Sequence, residues 1–318
     1  MDDIQDNSCT NEKGVFGNSY RLVMSFTYSV LALVTTVLNV LILISIWKTP
    51  SLHKPSYILI GSLGFADLFV GALGEPLKVI HYIAILKGWS LNIYCLLFKC
   101  VRGVGYTMGA VSLLTLTFIS LDRLLAVKLR NRYQSVVTKK RVLYTTLVCW
   151  MISCVVSAIL FGKLSWNNTH LLPFLLIAGI GVLVLVVTIT VCYSMAFYSL
   201  RKITSSFVSP SVQNEEEVAR PNPNIDVVKY RKSFITMFVV FIFTILFYMP
   251  LACTLIAYSI ASYHQVSKTS LDIIFISIHS AELIARLNSA VNPLLYLWRL
   301  RDIRETVKTI VKTLFKIF

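Results

Sequence analysis

Apolar residues gather along this chain into seven long blocks, and polar residues fill the shorter gaps between them. The blocks run roughly over residues 22–47, 56–80, 97–127, 142–161, 171–200, 233–260 and 270–298. A helix needs about 20 mostly apolar residues to cross a bilayer, and each block reaches that length. None shows the strands of about ten alternating residues that build a transmembrane barrel. The pattern predicts an all-α membrane protein, a seven-transmembrane helix bundle over residues 22–298 behind an N-terminal segment, 1–21. No block repeats another, as the related halves of many transporters do. The opening MDDIQDNSCTNEKG has neither the basic nor the apolar part of a signal peptide, so no cleavage is expected.

Two stretches depart from the block pattern. Residues 203–228 are rich in Ser, Pro, Asn and Glu and read as a flexible loop. Residues 299–318 carry Leu300, Ile303, Val307, Ile310, Val311, Leu314 and Phe318 at helical spacing opposite a basic face. That predicts an amphipathic helix lying along the membrane surface, or else docked on protein.

Composition changes the picture little, but charge changes it more. The 318 residues are 56% hydrophobic and 14% charged, too apolar for a water-facing globule. A net charge of +15 would suggest nucleic acid in a soluble chain. Here twenty of the thirty Lys and Arg lie in the segments after the first, third, fifth and seventh blocks, and five lie on the alternate side. The positive-inside rule then places the N-terminus outside and the C-terminus in the cytoplasm of a multi-pass plasma-membrane protein, with no nucleic-acid partner. The last five, Lys78, Lys99, Arg102, Arg123 and Arg286, fall inside the blocks.

An ionisable group within the hydrocarbon costs about 2.5–3.5 kcal/mol to insert, which makes each a functional candidate. Asp67 sits in the middle of the second block, Asn39 in the first, and Asn288, Ser289 and Asn292 in the seventh, so that one hydrated polar cluster can form around Asp67. Pro250 and Pro293 place kinks in the sixth and seventh helices. Toward the outer ends lie Glu75, Lys78 and His81, then Lys99 and Arg102, then His279, Glu282 and Arg286. Glu282 and Arg286 are spaced to pair on one helix face, and Glu75 faces Arg102 across the expected bundle. Two readings stand here: interhelical ion pairs that hold the outer half together, or a polar ligand pocket lined by both signs of charge.

The ordered set Asn39; Leu63, Ala66 and Asp67 of SLGFAD; Asp122 and Arg123 of SLDRLLAV; Trp150; Tyr193; Pro250; and Asn288, Ser289, Asn292, Pro293 and Tyr296 of NSAVNPLLY resembles the rhodopsin-like (class A) G-protein-coupled receptors. The resemblance covers nearly the whole chain. It implies a receptor that binds an extracellular ligand and activates a heterotrimeric G protein, with arrestin as a further partner. It also implies that Asp122 and Arg123 form the switch, freed when helix six swings about Pro250 and steadied by Tyr193 and Tyr296. Asp67 with Asn39, Asn288, Ser289 and Asn292 resembles the family's allosteric sodium site. Leu124 stands where the family usually has Tyr, and Tyr248 stands as the aromatic toggle where it usually has Trp.

Cysteines narrow the resemblance. None of the seven falls in the short second outer loop, about residues 162–170, so the usual bridge to that loop is absent. Cys9 pairs with Cys95 or Cys100, or stays a free thiol. The short loop and the missing helix-five proline resemble the melanocortin, cannabinoid and adenosine neighbourhood. Asn167, in Asn-Asn-Thr, fits an outer glycosylation acceptor. The position where amine receptors carry Asp is Gly105, and the retinal-lysine position of opsins is Arg286. A peptide, nucleoside, lipid or small anion remains, with Lys78, Lys99, Arg102 and Arg286 the cations an acidic head group seeks. The competing reading is a transporter or ion pathway relaying charge through Asp67, Glu75 and Glu282. An enzyme is not expected, since no nucleophile with its base and no metal cluster emerges from the sequence.

Overall fold

The computed structural model describes residues 15–163, 168–208, 223–264 and 266–315. These form helices only: α1 Asn18–Lys48, α2 Pro55–Leu86, α3 Leu91–Leu129, α4 Lys139–Lys163, α5 Asn168–Val208, α6 Pro223–Tyr263, α7 Lys268–Arg299 and α8 Arg301–Phe315. Among the described residues, α1 to α6 each contain a span long and apolar enough to cross a membrane. The seventh has the length, but His279, Glu282, Arg286, Asn288 and Asn292 lower its hydropathy. Large apolar side chains point away from the bundle, among them Phe26, Trp47, Tyr144, Met151 and Ile177, each at least 66% exposed. Such a belt is stable against lipid and not against water.

Without a hydrophobic force between helices in lipid, close packing and hydrogen bonds must hold them together. Glycines allow the close approaches. A Cβ at Gly71 would lie 2.9 Å from the Thr36 backbone nitrogen of α1, and one at Gly179 would lie 2.7 Å from Ile256 on α6. Buried hydroxyls satisfy themselves on the preceding turn, as Ser45 does on Leu41 at 2.7 Å and Thr115 on Val111 at 2.7 Å. Trp150 on α4 donates to Ser62 on α2 at 3.0 Å.

Four helices carry an internal irregularity. Pro173 lies near the start of α5, and Pro250 and Pro293 lie deep inside α6 and α7. In α2 a π turn over Val70–Gly74 precedes Glu75 and Pro76. The extra residue in that turn absorbs the missing proline N–H and changes which face the outer half of α2 presents. Asp67 and Glu75 therefore do not follow one straight helical face.

The helix ends differ from the sequence expectation. The first helix starts at Asn18, within the segment expected to precede the bundle, and α5 runs to Val208 while α6 starts at Pro223. Helix thus takes up both flanks of the 203–228 loop, because a helix keeps its backbone bonded past the membrane edge. At 41 residues each, α5 and α6 are about 60 Å long at the helical rise. The rest of that loop, 209–222, lies outside the described residues, as do Cys9 and Asn167. The first half of α8 docks on protein: Ile303 and Val307 are buried in the main core cluster, and Thr306 bonds Thr49 at 3.2 Å.

Candidate functional site

At the basic end of the bundle, the last turns of α3 carry Asp122 and Arg123. Asp122 is buried at 4% exposure, and its Oδ2 lies 2.9 Å from Arg123 Nη2. Two hydroxyls complete the carboxylate: Ser56 donates at 2.9 Å and Tyr133 at 2.5 Å. Tyr133 belongs to the single helical turn Tyr133–Val136 in the connection from α3 to α4. Burial first, and then the bond to Asp122, push its phenol up to about 12, so the hydroxyl remains a donor at neutral pH. Sequence reasoning missed both Ser56 and Tyr133. Arg123 is half-buried, and its Nε has no hydrogen-bond partner. Its charge is thus held by Asp122 alone, with one donor left over.

Tyr193 and Tyr296 sit in the main core cluster above this pair. Tyr193 packs on Phe241 at 5.3 Å between ring centres, and the Tyr296 hydroxyl is buried without a partner. Their hydroxyls serve no described residue in this conformation.

One turn further in, α2 and α7 meet at Asp67, which is wholly buried. Ser289 Oγ donates to one carboxylate oxygen at 2.7 Å, and Asn292 Nδ2 donates to the other at 2.9 Å. Asn39 joins indirectly, with Nδ2 on the Thr35 carbonyl at 2.9 Å and on the Ser289 carbonyl at 3.0 Å. Asn288 does not join the Asp67 cluster. It lies beside the Tyr248 hydroxyl, and its Nδ2 is unpartnered. Adjacent residues of a helix point about 100° apart, so with Ser289 turned to Asp67 on α2, Asn288 turns toward Tyr248 on α6. Tyr248, the expected toggle, is buried and reaches Ser112 on α3 at 3.4 Å.

The far half holds a cavity of about 80 Å³ walled by α2, α3, α6 and α7. Arg102, Gly105, Glu282 and Arg286 line it, and Ser112, Tyr248 and Ser289 close its inner end. Tyr106, also on the wall, takes a bond from Arg102 at 3.5 Å. Glu75, Lys78 and Lys99 do not line it. Glu75 and Lys78 are nevertheless buried, at 0% and 2% exposure. The expected Glu75–Arg102 bond is not made: both Glu75 oxygens are buried without a hydrogen-bond partner, and the cation acting on this carboxylate is Arg286. The π turn before Glu75 and the position of Arg286 across Gly74 account for this. Glu282 lies in the field of His279, Lys78, Arg102 and Arg286 at once. No ion pair within 4.0 Å joins Glu282 to Arg286 among the described residues, so the pairing expected along α7 is absent.

Near the start of α3, Cys95 is disulfide-bonded and Cys100 is a free thiol, while Cys9, the expected partner, lies outside the described residues. Phe16, just before α1, packs edge-on against His279 at 4.9 Å.

The family described as "7 transmembrane receptor (rhodopsin family)" matches residues 38–296. The chain belongs to that family of G-protein-coupled receptors, as a multi-pass membrane protein and not an enzyme. It is similar to the adenosine receptor A3 of Ovis aries, 27% identical over 86% of this chain and 84% of the relative. It is similar over shorter stretches to the 5-hydroxytryptamine receptor 1E of Homo sapiens, 32% identical over 43% of this chain and 36% of the relative. The histamine H1 receptor of Homo sapiens is 27% identical over 52% of this chain and 32% of the relative.

Proposed function

We propose that the chain is a plasma-membrane receptor with its N-terminus outside, which takes an extracellular ligand in the far-half cavity and activates a heterotrimeric G protein at the basic end. The observation that carries this reading is the Asp122 site. A carboxylate that accepts bonds from Ser56 and Tyr133 and pairs with Arg123 is a closed switch, and the cation it restrains is the group that a partner's backbone carbonyls would accept. An agonist that binds better when α6 has swung about Pro250 shifts the population toward released Arg123. Tyr193 and Tyr296, whose hydroxyls serve nothing described here, steady the open form. Arrestin would read the same opened face.

Asp67 is proposed to hold sodium in the resting state. The oxygens that suit a hard cation are the Asp67 carboxylate and the Ser289 hydroxyl, while Asn292 meets Asp67 through its amide nitrogen. Bound there, the ion would supply charge compensation to Asp67, and Asn39 would fix the Ser289 turn that carries the hydroxyl.

Replacing Arg123 by Ala is expected to abolish guanine-nucleotide exchange on a co-expressed G protein while surface expression stays intact. Unchanged exchange would show that the switch lies elsewhere. A relay through the membrane would instead leave transport current sensitive to Asp67 and Glu75 and indifferent to Arg123.

A further inference from the structure

The far-half cavity carries a more specific message about what fills it. Arg286 reaches across the bundle from α7 and lies where α2 and α3 have no side chains. A Cβ at Gly74 would be 3.3 Å from its Nη1, and one at Gly105 would be 3.0 Å from its Nη2. The two glycines form a seat that only a flat, close-lying group can use, and the guanidinium carbon lies 5.7 Å from the centre of the Tyr28 ring. The guanidinium so held is not satisfied. Its Nη1 is buried without a hydrogen-bond partner. The nearest acid on α2, Glu75, also leaves both its oxygens unbonded, and Glu282 is not within ion-pair distance. An arginine fork fixed against two backbones with an open donor on a cavity wall is built for a planar or tetrahedral oxyanion.

Charge and size agree with that donor. Lys78, Arg102 and Arg286 surround this region against Glu75 and Glu282, with His279 adding a titratable base, and the cations that bear on Glu282 already compensate it. The excess is positive. A volume of about 80 Å³ falls well below the roughly 300–1,000 Å³ of pockets that enclose drug-sized ligands. The enclosed space suits a compact ligand better than a peptide, a lipid tail or a whole nucleoside.

Resting on the receptor reading above, we propose that this cavity takes a compact organic anion, a short-chain carboxylate or a small phosphate ester. Arg286 grips its acidic group, and Arg102, three residues before Gly105 on α3, supplies a second positive charge. Gly105 acts as a specificity position, since a Cβ there would lie 3.0 Å from Nη2 and push the guanidinium off its closest approach.

The test uses the full chain, purified in detergent and followed by tryptophan fluorescence during heating. The probes are acetate, succinate, inorganic phosphate and glycerol phosphate at constant ionic strength against chloride, with acetamide, succinamide, glycerol and adenosine as neutral counterparts. At least one of the four anions is expected to raise Tm by about 2 °C or more while the neutral compounds do not. The phosphate arms separate phosphate recognition from carboxylate recognition. Arg286→Gln is expected to lose the rise, and Gly105→Ala, which keeps every charge, to reduce it. Should Arg286→Gln fail to fold, the Gly105→Ala result decides. No shift with any of the four, equal shifts with acids and amides, an undiminished rise in both variants, or stabilisation by adenosine instead would each overturn the proposal. Arg123→Ala is expected to leave the anion shift intact. Failure of nucleotide exchange and failure of anion binding are therefore read separately.

Discussion

Asp67 and Glu75 are buried acids on one helix, both at 0% exposure, on either side of the π turn in α2. Asp67 has a donor on each oxygen, and Glu75 has none. The same division runs through the bundle. Toward the basic end, Asp122 collects two hydroxyls and an arginine, so the acid there is satisfied even though Arg123 Nε and the Tyr296 hydroxyl are left over. Toward the far end, Arg286 and Glu75 are held in place with unused hydrogen-bonding capacity. Buried polar groups that satisfy each other hold one conformation, and those left unsatisfied store a cost that a ligand relieves. On the receptor reading proposed above, the difference fits opposite tasks for the two halves: the basic half keeps the resting state, and the far half takes the molecule that ends it.

Three substitutions probe that contrast, beginning with the largest expected effect. Asp67→Ala leaves the Ser289 hydroxyl and the Asn292 amide buried without their acceptor, at about 1–3 kcal/mol each. Thermal unfolding should show a loss of about 3 kcal/mol, and the stabilisation by sodium over potassium expected of the parent should vanish. A Tm and sodium response like the parent's would mean that the cluster is a bystander.

Tyr133→Phe removes a hydrogen bond to a charged acceptor, about 1.5–3 kcal/mol. Its loss weakens the resting state and not the fold, since Tyr133 is part of a four-residue turn. Basal nucleotide exchange should rise by about tenfold with unchanged surface expression.

Glu75→Gln should have the smallest effect and the opposite sign. It replaces a carboxylate that bonds nothing with a neutral group of the same shape, so Tm should hold or rise slightly. A fall comparable to that of Asp67→Ala would erase the distinction between the halves.

Much of this was legible in the sequence because membrane physics leaves few alternatives. Long apolar blocks must be helices, basic loops mark one side, and an acid such as Asp67 must meet donors at its own depth, which left Ser289 and Asn292 as natural partners. Residues whose role depends on helix rotation were harder to place. Asn288 was grouped with its neighbours by proximity in sequence, but a shift of one position turned it to Tyr248. Glu75 was given to Arg102 on the assumption of a regular α2, which the π turn before Pro76 breaks. Ser56 and Tyr133 were missed because nothing local marks them. One is an ordinary serine in the first turn of a helix, and the other lies eleven residues past Asp122 in a basic connection. A tyrosine returning toward the switch acid is the only signal they left. Similarity to adenosine receptors over most of the chain lies within the neighbourhood that the short second loop and the missing helix-five proline pointed to.

The central claim, that the Asp122 site holds Arg123 closed until a ligand acts, is tested most directly by basal nucleotide exchange in membranes carrying Tyr133→Phe, alone and combined with Arg123→Ala, at matched surface expression. The account predicts a rise of about tenfold in the single variant and no exchange above background in the double. Exchange that stays at the parent's level in the single variant, or that persists in the double, would contradict it.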